Sequence, residues 1–328
     1  MGGLILAVDG GNSKTDVALV AGDGRLLSAF RGPTISHQQV GLENGLKQLR
    51  GLVENATAAA GISDIPVMGI YGLAGADLPA DFRNLEAGLA ATGLSRETLV
   101  VNDANAALRA GTRRGWGIAL VCGAGVNGYG RSPNGRTARF DGLGDVTGDW
   151  GGGGAVGLAA LGAAVRARDG RSIRTTLEQL VPAHFGLGRP ASVANAFFTG
   201  HLSEERLDEI APIVFEAAAA GDAAARAIVD RQTEELAVMA SALARRLGLT
   251  RTDIDIVLTG GVFRGYNQVF LSDLTRRIRQ HVPKAEVFKV QAPPVAGSAL
   301  IGLDLLAGGQ VSSGAEERLK KALIRWAE

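Results

Sequence analysis

The chain has 328 residues, 46% hydrophobic and 20% charged, the balance of a globular protein long enough for two domains. Lys and Arg total 34 against 33 Asp and Glu, scattered and summing to +1, so no basic field is present to hold nucleic acid. The single cysteine, Cys122, excludes an internal disulfide and a cysteine-based metal site within one chain.

The opening MGGLILAV has no basic stretch before its apolar run, which stops at Asp9, so no secretory leader is expected. The Ala-rich stretches are broken by charge well short of the ~20 apolar residues a membrane span needs. The expected location is cytoplasmic, without membrane attachment. In chain order, residues 4–9, 14–21 and 25–31 read as strands, the last two joined by a turn at Asp23-Gly24. Helical periodicity over 40–60 stops at Gly61. A buried-type strand over 66–75, a helix over 78–92 and a short strand over 99–103 follow, and a further helix begins at Asp103. Residues 117–122 and 126–131 form a second strand pair around a Gly-rich turn, and 154–168 reads as helix. From 175 to 248 the chain is almost wholly helical. Strands over 253–263 and 286–290, a helix over 295–307, a polar linker over 309–316 and a helix over 317–327 complete it.

Strands alternating with helices imply an α/β sheet covered on both faces. Hairpins at the start of each half imply mixed sheets. The expected domains are 1–112 and 113–328, the second holding the helical segment 175–248. The helix 295–307 is placed to return to the first domain.

The stretch ILAVDGGNSKTDVALV, residues 5–20, sets Asp9 and a polar Gly-rich turn between two apolar runs. Read from its residues, it is either an ordinary hairpin with a soluble tip or a phosphate cradle with a metal-holding acid beside it. LVCGAGVNGYGR repeats the strand, Gly-turn, strand pattern, with Asp9 aligned on Cys122, Gly10 on Gly123 and Gly11 on Ala124. Two related lobes would explain that echo; so would chance likeness of two Gly-rich hairpins. Asp9–Thr15, Asp103, Gly123–Asn127 and Gly260-Gly261 all fall at expected strand ends, where open α/β sheets bind ligands. Neither G-x-x-x-x-G-K-[ST] nor a G-x-G-x-x-G after the first strand occurs, so P-loop and Rossmann readings have no support. Asp103 and Asp149 each have a plainer role as well, the first as a helix N-cap and the second as a turn residue. His37 also reads as a surface-loop residue, and Cys122 as a small buried hydrophobe.

The ordered set DGGNSKT, VNDANAA, CGAGVNGYG, GLGDVTGDWGGGG, LTGGVFRG and APPVAGSALIG resembles the sugar-kinase, heat-shock-protein and actin ATPase superfamily. Within it, the chain is similar to the branch joining N-acetylglucosamine kinases to the BadF/BadG/BcrA/BcrD ATPases. The resemblance covers nearly all of residues 4–307. It implies two ribonuclease-H-like lobes with mixed sheets flanked by helices and ATP in the interlobe cleft. It implies Asp9 as the acid holding Mg2+, and Gly10, Gly11, Asn12, Ser13 and Lys14 as the first phosphate turn. Gly123, Ala124 and Gly125 match the second phosphate turn, and Gly260 and Gly261 the glycines against the adenosine. Asp103 matches the catalytic base and a sugar contact. Ser36, His37, Gly142, Leu143, Gly144 and Asp149 match the remaining sugar contacts.

The function so implied is ATP-dependent phosphorylation of N-acetylglucosamine or glucosamine at the 6-hydroxyl. The alternatives are another sugar such as N-acetylmuramate, or an ATPase without sugar kinase activity. An activator ATPase holding a [4Fe–4S] cluster between two subunits is disfavoured, because a homodimer would bring only two copies of Cys122 where about four thiolates are needed. A homodimer itself stays open. The chain departs from the hexosamine-kinase pattern at Trp150, where an acid is usual, at Ser36, where Asn is usual, and at Ala124, which has no hydroxyl.

Overall fold

The structure, a computed structural model, describes residues 3–264 and 268–328. Gly265, the last residue of the LTGGVFRG motif, lies outside the described residues. The chain divides into two compact units: residues 1–119 with 289–328, and residues 120–288.

In the first unit, β1 (Leu4–Gly10), β2 (Lys14–Ala21), β3 (Leu26–Pro33), β4 (Met68–Leu73) and β5 (Glu97–Asn102) form one sheet. Their order is β3-β2-β1-β4-β5. β1 pairs antiparallel with β2 and parallel with β4, so the sheet is mixed. Successive strand residues serve opposite faces. Leu6, Val8, Val17 and Leu19 pack against α2 (Leu42–Ala60) and α3 (Pro79–Thr92). Their neighbours Ile5, Ala7, Ala18 and Val20 pack against α11 (Val295–Leu306) and α12 (Ser313–Ala327). A four-residue helix, α1 (His37–Val40), precedes α2, which ends on Gly61 in the left-handed conformation at φ 64°.

α4 (Asp103–Gly111) leaves the end of β5 and lies against α11 so closely that a Cβ on Gly297 would come 1.8 Å from the Ala106 carbonyl oxygen. A buried charge cluster binds α4 to the last two helices. Arg109 donates to Asp304 at 2.6 and 3.1 Å and to Glu316 at 3.0 Å, and Lys320 donates to Glu316 at 2.8 Å.

The second sheet has β6 (Gly117–Cys122), β7 (Val126–Arg131), β8 (Thr137–Arg139), β9 (Ile254–Thr259) and β10 (Ala285–Lys289), ordered β10-β9-β6-β7-β8. This is the first sheet's pattern repeated: an initial central strand, the next two strands on one side, and the two strands after the crossover on the other. The sequence echo is therefore a duplicated topology, and both halves are mixed α/β layers of ribonuclease-H type.

Inserted helices fill the stretch between β8 and β9: α5 (Gly152–Arg168), α6 (Leu177–His184), α7 (Pro190–Phe198), α8 (Ala211–Ala219) and α9 (Ala223–Leu247). They share a core of Val156, Ala160, Val181, Val193, Val214 and Ile228. α9 starts on the Asp222 cap, closes on Gly248 at φ 73°, and lies flat on β7, where a Cβ at Gly128 would meet Leu243 and Met239 at 2.9 Å. Helix α10 (Gln268–His281) and strand β8 were not expected from the sequence, and α12 begins at Ser313 rather than 317. Among the described residues no helix is long and apolar enough to cross a membrane.

Candidate active site

The first unit gathers Asp9, the Gly10–Lys14 turn, Ser36, His37 and Asp103 around the carboxyl ends of its strands. Gly10 has no room for a side chain, because a Cβ would meet Leu73 at 2.7 Å and Ile35 at 3.1 Å. The turn is closed by Gly11 N–H donating to the Lys14 carbonyl at 2.9 Å. Thr34 Oγ1 donates to the Gly11 carbonyl at 2.8 Å, and Ile35 N–H donates to Thr15 Oγ1 at 3.1 Å, so the 34–36 loop is stitched to the turn. The backbone N–H groups of Asn12 and Ser13 donate to no protein group among the described residues. Free amides in a Gly-rich turn are anion donors.

Asp9 is the next-to-last residue of β1 and only 8% exposed, with no side-chain hydrogen bond among the described residues. Burial, followed by the negative charges of Asp16 and Asp103, pushes its pKa up to about 8, against the opposing pull of Lys14 and Arg31. A buried oxygen donor in surplus negative charge suits a hard divalent cation. No group of three or more acids, histidines or cysteines able to cage a metal exists among the described residues. A lone carboxylate matches Mg2+ delivered with nucleotide phosphates and keeping its waters.

Asp103 is the first residue of α4, and the cap is its neighbour. Asn102 Oδ1 accepts from Ala104 N–H at 3.1 Å, while its amide donates to the Ala76 carbonyl at 3.3 Å and to Asp77 Oδ1 at 3.1 Å. The N-cap role open to Asp103 in the sequence thus belongs one residue earlier, where the backbone is extended. Asp103 Oδ1 also accepts from Ala104 N–H, at 2.8 Å. Burial raises its pKa, and the amide bond works against that rise.

Ser36 is 3% exposed and its hydroxyl has no hydrogen-bond partner among the described residues. His37 Nε2 lies 3.6 Å from Asp81, which also accepts from Leu78 N–H at 2.8 Å at the start of α3. A Cβ on Gly75 would come 2.9 Å from the Gln38 side chain, so α1 lies close against the turn at Gly75.

In the second unit three glycine segments converge on Cys122. Gly260, at φ 113°, would put a Cβ 2.2 Å from the Cys122 carbonyl oxygen. Gly153 N–H donates to the Gly123 carbonyl at 2.7 Å and Gly154 N–H to that of Ala124 at 2.9 Å, pinning the 123–125 turn to the start of α5. A Cβ on Gly152 would come 2.5 Å from the Ala124 carbonyl oxygen, so the 151–154 glycine run is a close-packed helix start rather than a loose hinge. The N–H groups of Ala124 and Gly125 have no protein acceptor among the described residues, as at Asn12 and Ser13. Gly261 opens a short 3-10 turn over 261–264. Burial pushes the Cys122 thiol up to about 12, which leaves it inert as a nucleophile.

Gly142, Leu143 and Gly144 form an exposed loop in which Asp149 N–H donates to the Gly144 carbonyl at 3.0 Å and Thr147 donates to the Asp149 carboxylate. Trp150, in place of the usual acid, carries Arg231 over its ring at 4.1 Å. The sequence-derived sugar residues are thus split: Ser36, His37 and Asp103 in the first unit, 142–144 and Asp149 in the second. Sequence reasoning passed over Asp16, Arg31, Asn102 and Gln232. Gln232 is fully buried and accepts from Gly152 N–H at 2.8 Å; no local pattern marks a glutamine in mid-helix for that task.

Fold and turns together define a duplicated α/β protein of the ribonuclease-H-like class with a glycine turn at the head of each sheet. The chain belongs to the BadF/BadG/BcrA/BcrD ATPase family, whose model matches residues 6–302. It is 26% identical to an N-acetylmuramic acid/N-acetylglucosamine kinase of Clostridium acetobutylicum, over 90% of this chain and 97% of that protein. It is also 26% identical to an N-acetyl-D-glucosamine kinase of Dictyostelium discoideum, over 92% of this chain and 98% of that protein. A crystal structure from Chromobacterium violaceum, of a protein provisionally named N-acetylglucosamine kinase, superposes with a TM-score of 0.72 at 25% identity. That match covers 93% of this chain and 99% of the other.

Proposed function

We propose that the chain phosphorylates an amino sugar, N-acetylglucosamine or glucosamine, at the 6-hydroxyl with ATP. The Asp103 carboxylate carries this reading. It is held at the head of α4 through Oδ1, and burial raises its basicity, which suits a general base. The sugar hydroxyl oxygen attacks the γ-phosphorus, the bond to the β,γ-bridging oxygen breaks, ADP leaves, and Asp103 takes the hydroxyl proton. The free amides of Asn12, Ser13, Ala124 and Gly125 hold phosphate oxygens, and Gly260 and Gly261 leave the adenosine room. Ser36, His37, the 142–144 loop and Asp149 orient the sugar, which presents hydroxyls that such donors and acceptors match. Asp9 would hold Mg2+, which neutralises phosphate charge as the bond breaks.

The Clostridium acetobutylicum relative, named for both sugars, supports N-acetylmuramate as a second reading. An ADP-release screen with Mg·ATP across N-acetylglucosamine, glucosamine, N-acetylmuramate and glucose decides between them. Asp103→Asn should lower kcat by about 10²–10⁴-fold on the true substrate. A lack of turnover on every amino sugar, or phosphate found by NMR on another hydroxyl, refutes the corresponding part of the assignment.

A further inference from the structure

Strands β1, β2 and β3 bring Asp9, Asp16 and Arg31 into one cross-strand row, each directly opposite the next. Ala7, Ala18 and Ala29 form the parallel row two residues away and pack toward α11 and α12, so the charged row faces the same side. Asp16 is fully buried. Arg31 grips it with both arms of its guanidinium, Nε at 2.6 Å and Nη2 at 2.9 Å. Lys14 Nζ donates to the same Oδ2 that accepts from Arg31 Nη2, at 3.2 Å. At the Arg31 end of the row, the guanidinium lies over the ring of Trp326 of the terminal helix, 5.2 Å from its centroid. Trp326 lies beyond residues 6–302, the stretch matched by the family model.

Lys14 leaves the phosphate turn on a flexible four-carbon stem, and a free ammonium there would sweep through solvent. A bidentate Arg–carboxylate pair is geometrically rigid, and a cation over an indole face is further restrained. Asp16 is therefore a fixed anchor on which the Lys14 ammonium rests at the edge of the turn. Arg31 has already matched the charge of Asp16, so the trio keeps a net positive charge, and that charge resides on the lysine side.

We propose that Asp16, locked by Arg31 and through it by Trp326 of the terminal helix, is a positioning residue that sets Lys14 for the nucleotide phosphates. This rests on reading Gly10–Lys14 as a nucleotide-phosphate turn. The terminal helix then belongs to the nucleotide machinery although it lies outside the matched family core.

The test is calorimetric binding of Mg·ADP, without turnover, to Lys14→Met, Asp16→Asn, the double variant, Trp326→Ala and Trp326→Phe. N-acetylglucosamine binding serves as the control. Lys14→Met should weaken Mg·ADP by about tenfold or more, the weight of one charge-assisted bond. Asp16→Asn should weaken it by about fivefold alone and add nothing in the Lys14→Met background, the mark of coupling. Trp326→Ala should give a smaller loss that Trp326→Phe restores. Sugar affinity should not move. An Asp16→Asn loss that persists undiminished in the double variant overturns the proposal, and so does unchanged Mg·ADP binding in Trp326→Ala. Wild-type Mg·ADP affinity in Lys14→Met overturns the phosphate-turn reading itself, and the proposal with it.

Discussion

Asp9 is the position where electrostatics and function pull hardest against each other, and Asp9→Asn separates them. Its pKa rises from 3.8 to about 8 because burial and two neighbouring carboxylates disfavour the anion. The raised value fixes the sign. The folded state binds the proton more tightly than the unfolded state, so the contribution of Asp9 to stability is full below pH 3.8. It is lost as pH rises toward 8 and stays lost above that. About 3 pH units separate 3.8 from neutrality, and each is worth about 1.4 kcal/mol, so the destabilisation near pH 7 has an upper bound of about 4 kcal/mol. Asparagine carries no such cost. Without ligand, Asp9→Asn should therefore match wild type in urea denaturation at pH 4 and exceed it increasingly toward pH 8. With saturating Mg·ADP the order should reverse, because only the wild-type carboxylate gains the bound metal and the linkage stabilisation it brings. An Asp9→Asn variant weakened equally at pH 4 and pH 8 would show that the carboxylate is an ordinary structural acceptor, and the metal assignment would fall.

Asn102→Ala should cost about 0.5–2 kcal/mol through loss of the α4 cap, read as a lower denaturation midpoint. Asn102→Ser should recover that stability but not kcat, because serine cannot also tether Ala76 and Asp77. Gly260→Ala should unfold the second unit at lower urea, since a Cβ would overlap the Cys122 carbonyl and the backbone sits at φ 113°; a folded, nucleotide-binding Gly260→Ala would contradict that packing. Glu316→Ala leaves Arg109 buried with only part of its partner set and should cost about 3–5 kcal/mol, measured by denaturation, with Lys320→Ala costing far less.

Much of the architecture was legible from residues alone. Apolar runs marked β2 to the residue and β1 to within one, and Gly61 marked the end of α2. The echo of DGG and CGAG left two related lobes open against chance likeness, and the shared strand order decided for two related lobes. Helix α10 escaped although Phe270, Leu274 and Ile278 recur four residues apart on its buried face, because most of QVFLSDLTRRIRQH around them is polar or charged. Strand β8 has three residues, too few for any alternation to register. The capping residue of α4 was read one position late, since Asn and Asp stand side by side and either type caps well.

What the sequence by itself determined is local: which segments are strands, which are helices, and where a glycine breaks them. Those choices depend on neighbours a few residues away, and the pattern records them. Only the tertiary structure decided that Asp9, Asp16 and Arg31 stand in one row with Arg31 over Trp326, that Asn102 ties β5 to Asp77, and that Gly260 must lack a side chain. These facts depend on cross-strand register and on contacts between residues as far apart as 31 and 326. Such meetings are set by how whole faces pack, and packing is a property of the folded chain that no window of sequence contains.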